Sequence, residues 1–370
     1  MIYLDYQATT PMAPEVAAAM RPWVEDKFAN PHSPSTWGRE AAAAVEMARD
    51  RLLTAVGLEE GRLAFTSGAT EAINWAVKGT LERSERRRIV TIATEHAAVL
   101  DSCAWLEGQG VQVVRLPVGA DGLVELEIAR EAIDERTALV AAMLVNNEIG
   151  VIQPVAQLAA MAHAVGAVML CDAVQGFGRL AIPAGPHLIA LSAHKIHGPK
   201  GIGALWMRKG FEPRPLLHGG GQEMGLRSGT LSPALAVGFG EAARLGVEYR
   251  ERDLAHVEKL WEAALANLGE GWEINGSTEH RYRGNLNLRM PGLDAARLLA
   301  ELRNIAFSLG SACASGSGRP SHVLQALGLS AGAARSSIRL GFGRYTSEAE
   351  LRSACRHIAR AAREQSEWAA

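Results

Sequence analysis

A lysine between two histidines is the first candidate for chemistry in this sequence. Lys195 lies in the segment SAHKIHGPKG, residues 192–201, directly after the apolar residues 188–191. Lysines usually stay exposed because burying an unpaired charge is costly. A lysine that ends a buried strand is therefore a candidate for covalent or proton-transfer chemistry, provided that suitable groups lie near it.

Polar and ionisable side chains also follow the other apolar runs in the first two thirds of the chain. These runs alternate with helical patterns, which predicts a mostly parallel sheet with helices on both faces. In such sheets, ligands bind beyond the carboxyl ends of the strands. The groups at these ends are Thr66 to Glu71, Thr94 to His96, Asn146 to Glu148, Asp172 with Gln175, and Ser192 with His194 and Lys195. We expect them to meet at one edge of the sheet.

The segment TSGATE, residues 66–71, is a candidate phosphate-binding loop. Its small residues let the backbone approach an anion, and the predicted helix that follows points its N-terminal N–H groups at the same place. A plain capped helix after a turn fits the segment equally well. A P-loop is excluded because the sequence contains no GxxxxGK[ST], and it contains no GxGxxG either.

Asp172 ends the strand that precedes the strand of Lys195. A buried carboxylate needs a partner. Asp172 could cap the next helix, or it could bind a metal together with His194 and His197. A metal is not predicted, because such sites usually need three convergent ligands and the HxxH spacing here is followed by Gly-Pro.

A lysine, an acid and an anion-binding loop at one edge fit pyridoxal 5'-phosphate. This cofactor needs a lysine that holds it covalently, an acid that keeps its pyridine nitrogen protonated, and donors for its phosphate. On this hypothesis Lys195 holds the cofactor, Asp172 is the acid, and Ser192 and His194 help to bind the phosphate.

Cys313 differs from the other three cysteines in its surroundings. Structural cysteines are usually buried among apolar residues and inert, and Cys103, Cys171 and Cys355 fit that description. Cys313 lies among Gly, Ser and Ala residues in SLGSACASGSGRPSHVL, residues 308–324. We expect a reactive thiol on a mobile loop.

Composition and charge exclude several classes of protein. The formal net charge of the 370 residues is -2, which gives no reason to expect nucleic-acid binding. The longest apolar run, residues 138–145, is too short to cross a bilayer, and the N-terminus does not resemble a signal peptide. The cysteines have no CxxC spacing. These features predict a cytoplasmic protein with no membrane partner.

The length of the chain favours two domains. From about residue 251 the alternation of apolar strands and helices gives way to a helix, an alternating strand and further short elements. We predict a large domain over residues 15–250. Residues 1–14 and 251–370 would form a smaller α+β domain that carries the loop of Cys313, about residues 308–320.

Taken together, these motifs resemble one known family. The chain is similar to the cysteine desulfurases, in the class V branch of the fold-type-I pyridoxal-phosphate enzymes. The matching motifs run in order along nearly the whole chain: YLDYQATTP, TSGATE, TEHAAVL, VNNEIGVIQP, CDAVQGFGR, SAHKIHGPKGIGAL, HGGGQE, RSGTL, GSACASG and SSIRLGFGR. The long cysteine loop is similar to the branch that serves iron–sulfur cluster assembly and nitrogenase maturation.

The resemblance implies a role for each matching residue. Lys195 would hold the cofactor and shuttle protons, Asp172 would pair with the pyridinium nitrogen, and Gln175 would contact the ring oxygen. His96 would stack on the ring and take part in proton transfer. The implied cofactor-binding residues are Ala69, Thr70, His96, Asn147, Asp172, Gln175, Ser192, His194 and Lys195, with Thr230 supplied by the partner subunit of a homodimer.

The resemblance also implies a substrate and a product. Asn147 and Arg339 would hold the carboxylate of L-cysteine. Cys313 would attack the substrate sulfur, keep it as a persulfide and leave L-alanine. An iron–sulfur scaffold or a sulfur-carrier protein would then accept the sulfur. The chain ends at EQSEWAA, without the longer tail that holds a scaffold in the family, which argues against a standard scaffold interaction but not against the chemistry.

Two other enzyme activities and one non-enzymatic role are alternatives. A selenocysteine lyase or a class V aminotransferase would share the cofactor residues, but a transaminase needs no thiol such as Cys313. A non-catalytic sulfur-relay subunit would predict the loss of Lys195, Asp172 or Cys313, and the sequence retains all three.

Overall fold

The structure is a computed structural model that describes residues 1–310 and 321–369. Its strands are β1 Ile2–Tyr3, β2 Gly61–Thr66, β3 Arg88–Ile92, β4 Gln112–Leu116, β5 Thr137–Met143, β6 Val168–Asp172, β7 Leu188–Ser192, β8 Gly203–Arg208, β9 Glu273–Ile274, β10 Asn285–Arg289, β11 Ile305–Ala306, β12 Ser308–Leu309 and β13 Ser337–Gly341. Its α-helices are α1 Pro14–Glu25, α2 Thr36–Val56, α3 Ala69–Arg83, α4 Ala97–Glu107, α5 Leu126–Ala132, α6 Val155–Ala164, α7 Pro233–Glu248, α8 Arg250–Leu268, α9 Ala295–Glu301, α10 His322–Ala326, α11 Ala331–Arg335 and α12 Glu348–Ala369.

Seven strands form a mixed, mostly parallel sheet in the order β2-β8-β7-β6-β5-β3-β4. Strand β8 is antiparallel to both of its neighbours, and the other adjacent pairs are parallel. Only residues 193–202 connect β7 to β8, whereas parallel strands need a crossover of about a dozen residues or more, so β8 returns antiparallel. The predicted fold class is confirmed, and β2, β7, β6, β5, β3 and β4 all end at the same edge.

Helices cover both faces of this sheet, which explains its continuous apolar strands. Successive residues of β5 belong to opposite cores: Leu139 and Ala141 share one core with residues of α3 and α4, whereas Val140 and Ala142 share the other with residues of α2, α6 and α7. Every residue of β5 is buried. The sheet therefore lies between two apolar cores.

A second, antiparallel sheet has the order β12-β13-β10-β9, and helices α8 and α12 pack together beside it. Strand β1 pairs with β11, so the first residues of the chain join the C-terminal third. This pairing is compatible with the predicted boundaries at 1–14, 15–250 and 251–370, which remain a prediction. In helix α8, Val257 and Trp261 are buried, whereas Leu265 is 37% exposed.

Local sequence signals mark the ends of several elements. Helix α2 begins after the Ser35 cap and ends before Gly57, whose φ of 71° is the left-handed conformation that glycine tolerates best. Helix α12 begins with a capping box, in which Ser347 and Glu350 exchange hydrogen bonds of 3.2 and 3.3 Å. No helix of the described chain is long and apolar enough to cross a membrane.

Candidate active site

A cavity of about 480 Å³ lies at the edge where the parallel strands end. Ten predicted site residues line it: Ala69, Thr70, His96, Asn147, Asp172, Gln175, Ser192, His194, Lys195 and Arg339. Thr230 does not line the cavity and is exposed. Cys313 lies outside the described residues. The cavity therefore brings together all the predicted site residues of a single chain that the structure describes.

Lys195 follows β7 in a single turn of 3-10 helix, Ala193–Lys195. Its Nζ donates to the carbonyl oxygens of Gln7 at 2.6 Å and Ala8 at 2.7 Å. Gln7 and Ala8 were not predicted as site residues. The motif YLDYQATTP contains them, but backbone acceptors leave no signature in residue type.

Asp172 is buried at the end of β6, where its Oδ1 accepts the N–H of Val174 at 3.0 Å. Burial raises the pKa of this carboxyl group, and interactions with His96, with the N–H of Val174 and with Lys195 oppose that increase. Asp172 therefore caps a turn and also faces the cavity. A cationic ring nitrogen in the cavity would favour its charged form.

Glu95 is a second carboxyl group in the same region and was not assigned a role from the sequence. It is fully buried, and its Oε1 accepts the N–H of Met143 at 2.7 Å. Burial, with a contribution from the negative charge of Asp172, raises the pKa of Glu95 well above its usual range. Two neighbouring buried acids do not both ionise easily, and Asp172, unlike Glu95, also interacts favourably with Lys195.

His96 caps helix α4, and its Nδ1 accepts the N–H of Ala98 at 3.1 Å. A histidine that accepts a hydrogen bond at Nδ1 carries its proton on Nε2 in the neutral form. The imidazole of His96 also lines the cavity. The cap therefore fixes the tautomer of a ring that is available for proton transfer.

Helix α3 begins at the cavity, directly after Gly68. Within the described part of the chain, no side chain caps its first N–H groups, and a Cβ at Gly68 would meet no atom within 4 Å. A Cβ at Gly203 would approach Ala69 N to 2.8 Å, so glycine at 203 lets β8 pass close behind this loop. The open side of the loop and the helix N-terminus suit a phosphate group.

His194 and Lys200 lie on the same side of the cavity. The Nδ1 of His194 is 3.1 Å from the Oγ1 of Thr9. Burial lowers the pKa of His194 to about 4, assisted by the nearby charges of Lys195 and Lys200. His194 is therefore neutral near pH 7, and Lys200, which was not predicted as a site residue, supplies positive charge there.

Gln175 lines the cavity and is hydrogen-bonded to the N-terminal segment and to Arg179. Its Nε2 donates to the carbonyl oxygen of Gln7 at 3.0 Å, and its Oε1 accepts from Arg179 at 2.6 Å. Arg179 also donates to the carbonyl oxygen of Lys195 at 2.8 Å. Through Arg179, these hydrogen bonds fix the position of Gln175 relative to the backbone of Lys195.

Arg339 lies in β13 with 1% of its surface exposed, and it lines the cavity. Its guanidinium donates to Asp5 at 2.7 Å, to Ser308 at 3.0 Å and to the carbonyl oxygen of Asn147 at 3.1 Å. Its Nε is buried and has no partner among the described residues. A buried donor without an acceptor is costly, so this site favours an anionic ligand.

The donor set fits pyridoxal 5'-phosphate. Lys195 and Asp172 provide the covalent attachment point and the acid, and the start of α3 provides an anion site. Among the described residues no group of His, Cys, Asp and Glu could hold a metal ion. His197, the second imidazole of the metal alternative, instead contacts the carbonyl oxygen of Pro11 through Nδ1 at 2.9 Å.

Comparison with known proteins identifies the family. Residues 2–353 match the family model described as aminotransferase class-V. Cysteine desulfurase IscS of Rickettsia akari (strain Hartford) is 43% identical over 363 residues, which cover 95% of this chain and 88% of the relative. A solved structure described as a NifS-like protein has a TM-score of 0.89 and 34% identity, covering 97% of this chain and 98% of its own. The structure described as SspA in complex with cysteine has a TM-score of 0.84 and 35% identity, covering 94% of this chain and 100% of its own. The chain therefore belongs to the aminotransferase class-V family and, within it, to the cysteine desulfurases.

Proposed function

We propose that this enzyme removes sulfur from L-cysteine, with pyridoxal 5'-phosphate as cofactor, to give L-alanine and a persulfide on Cys313. The observation that carries the proposal is that Lys195, Asp172 and Arg339 line one cavity. They supply a covalent attachment point, an acid for the ring nitrogen and a cation for the substrate carboxylate.

Each end of the cofactor has residues suited to it. Lys195 would bind its aldehyde carbon, Asp172 its ring nitrogen and Gln175 its ring oxygen. The phosphate would bind at the start of α3, with the donors Ala69, Thr70, Ser192 and His194. When bound, the cofactor withdraws electrons from the α-carbon of the substrate.

Lys195 and His96 are the proposed proton carriers. The Nζ of Lys195 donates to two carbonyl oxygens at 2.6 and 2.7 Å, which position this amine in the cavity, where it would carry a proton to or from the substrate. His96 carries its proton on Nε2 because Nδ1 is occupied by the N–H of Ala98. Both groups can thus donate protons within the cavity.

Arg339 and Asn147 are the proposed binding site for the substrate carboxylate. The unpartnered Nε of Arg339 supports this role, because a carboxylate would accept from it. Asp5 already accepts from the Nη2 of Arg339 and holds the guanidinium in place. The carboxylate would therefore meet a preoriented cation.

The proposed sulfur transfer balances without an external oxidant. The thiolate of Cys313 forms an S–S bond with the substrate sulfur while the Cβ–S bond of cysteine breaks. The electron pair of the broken bond takes up a proton to give the methyl group of alanine. A thiolate suits this step because it is a strong nucleophile near neutral pH.

The proposal includes a homodimer, a cytoplasmic location and an acceptor protein for the sulfur. Thr230 is exposed and does not line the cavity of its own chain, which supports a contribution to the cofactor site of a partner subunit. The described cysteines form no disulfide, as is usual in a reducing compartment. The acceptor would be an iron–sulfur scaffold or a sulfur carrier.

The test is turnover of L-cysteine by the cofactor-loaded enzyme in the presence of a thiol reductant. We expect alanine and sulfide in equal amounts, and neither product from Lys195→Ala. Selenocysteine and a keto acid with an amino donor, assayed in parallel, test the two other activities. Absence of both alanine and sulfide from loaded enzyme would overturn the proposal.

A further inference from the structure

A second, small cavity lies behind Lys195, on the side away from the cofactor site. Its volume is about 30 Å³. Lys195 borders both cavities. The charged side chains that line the small cavity are those of Arg179, Arg250, Asp253 and Arg344, together with Lys195. We refer to it as the arginine cavity.

The charges around the arginine cavity do not balance. Asp253 is its only lining carboxylate among the described residues, and it accepts from the Nε of Arg344 at 2.7 Å. The same carboxylate also lies 3.3 Å from Arg252, which is outside the cavity. Three guanidinium groups thus border a space with one carboxylate that is already shared. Arg344 is buried, whereas Arg250 is half-buried, so part of this excess of positive charge is removed from water, which is unfavourable without a counterion.

Two of these arginines also have buried nitrogens without partners. The Nη1 of Arg344 and the Nε of Arg250 have no acceptor among the described residues. The side chain of Arg344 is only 6% exposed. An unsatisfied buried donor on a charged group costs more than one on a neutral group. An acceptor in the cavity would remove this cost.

Arg179 links the arginine cavity to the cofactor site. It stacks on Tyr282, with its central carbon 5.1 Å from the ring centre, and it donates to Lys195 O and to Gln175. An ion beside Arg179 would therefore lie directly behind the backbone that carries Lys195. This placement separates the ion from the phosphate and carboxylate sites of the main cavity.

We propose that the arginine cavity binds one small inorganic anion of halide size. A cavity of this volume holds a monatomic ion or one or two waters and has no room for a cofactor-sized ligand. The excess of guanidinium groups and the unpartnered nitrogens favour the anion over water.

The experiment uses crystals of the cofactor-loaded enzyme soaked in sodium bromide, with diffraction recorded at the bromine absorption edge. We expect an anomalous peak between Arg250 and Arg344. Water alone at that position, or an empty cavity, would overturn the proposal. The position of the peak distinguishes this site from adventitious binding at Arg339.

A solution experiment uses the melting temperature of the loaded enzyme in bromide, compared with gluconate at equal ionic strength. Arg250→Gln removes a cavity charge, and Arg252→Gln removes a neighbouring charge outside the cavity. We expect at least about a tenfold weaker bromide affinity in Arg250→Gln, from the loss of one charged donor, and wild-type affinity in Arg252→Gln. Equal affinities in the two variants would contradict the site.

Discussion

The Nζ of Lys195 lies 2.6 Å from the carbonyl oxygen of Gln7, although 188 positions separate the two residues in the chain. A second carbonyl, that of Ala8, lies 2.7 Å away. The N-terminal segment thus provides hydrogen-bond acceptors for a lysine that follows a buried strand. The same carbonyl of Gln7 accepts from Gln175. One loop therefore positions two residues proposed to bind the cofactor.

Replacing Lys195 with alanine should abolish covalent attachment of the cofactor. In the wild type, borohydride reduction should fix the cofactor on the peptide that contains Lys195, as peptide mass spectrometry would show. Turnover of L-cysteine by Lys195→Ala should fall at least about 10²-fold, because a positioned proton carrier is lost. Lys200→Ala is the matched control, since Lys200 also lines the cavity, and it should keep the attachment. Fixation on any other lysine would contradict the assignment.

Replacing Arg339 with glutamine should weaken the binding of L-cysteine. We expect KM to rise at least about tenfold, since a hydrogen bond to a charged group contributes about 1.5–3 kcal/mol. Arg339→Lys keeps the charge but loses the planar pair of donors, so its KM should be intermediate. Steady-state kinetics at a fixed cofactor load provide the measurement. An unchanged KM in both variants would exclude Arg339 as the carboxylate site.

Ser321 should contribute more to stability than an ordinary helix cap. Its hydroxyl caps α10 by accepting from Leu324 N at 3.1 Å, and it also donates to the buried carboxylate of Glu148. Ser330 caps α11 through Ala333 N at 3.2 Å. Ser330→Ala should cost about 1 kcal/mol, and Ser321→Ala should cost about 1–3 kcal/mol more because it leaves Glu148 without this donor.

The free energy of unfolding in urea, measured at one pH for the wild type and both serine variants, tests the comparison. Equal losses in Ser321→Ala and Ser330→Ala would show that the contact with Glu148 contributes nothing measurable.

The contribution of His187 to the free energy of unfolding should decrease as the pH falls from about 7 to 4. Its Nδ1 accepts Met169 N at 2.9 Å, its ring stacks on Phe211, and burial lowers its pKa to about 4. Below its ordinary pKa near 6.5 the unfolded chain takes up a proton that the folded chain does not, so its contribution to stability is complete above that pH. The maximum slope for one such group is about 1.4 kcal/mol per pH unit.

His187→Asn keeps an acceptor for Met169 N and removes the titration. Urea unfolding at a series of pH values should therefore give a shallower decline for His187→Asn than for the wild type. Parallel curves would show that His187 is not held in its neutral form by the fold.

The apolar runs and the residues that follow them were sufficient to predict most of the cavity. The carboxyl ends of the parallel strands must meet at one edge, so Asp172 and Lys195 could be placed together from their positions alone. The site residues that were not predicted contribute through their position in the folded chain and not through their residue type. Gln7 and Ala8 contribute backbone oxygens, which every residue possesses, and only the pairing of the N-terminal segment brings them to Lys195.

In the second sheet, the alternation of polar and apolar residues is a poor guide to exposure, because polar residues of β10 are buried. The alternation Asn-Leu-Asn-Leu in β10 suggests one exposed face, yet Asn285 and Asn287 are both buried. The side chain of Asn287 donates to the carbonyl oxygen of Glu148 at 2.9 Å and accepts from Asn275 at 2.7 Å. Such amide partners depend on tertiary contacts, which the spacing of residues does not encode.

The most direct test of the central claim is peptide mass spectrometry after one turnover with L-cysteine in the absence of reductant. The account predicts one added sulfur atom on the peptide that contains Cys313, and one alanine released for each sulfur bound. Peptides of the fully buried Cys103, Cys171 and Cys355 should remain unmodified. Cys313→Ala should bind the cofactor normally and give no persulfide. Sulfur on another cysteine, or alanine production by Cys313→Ala at the wild-type rate, would contradict the account.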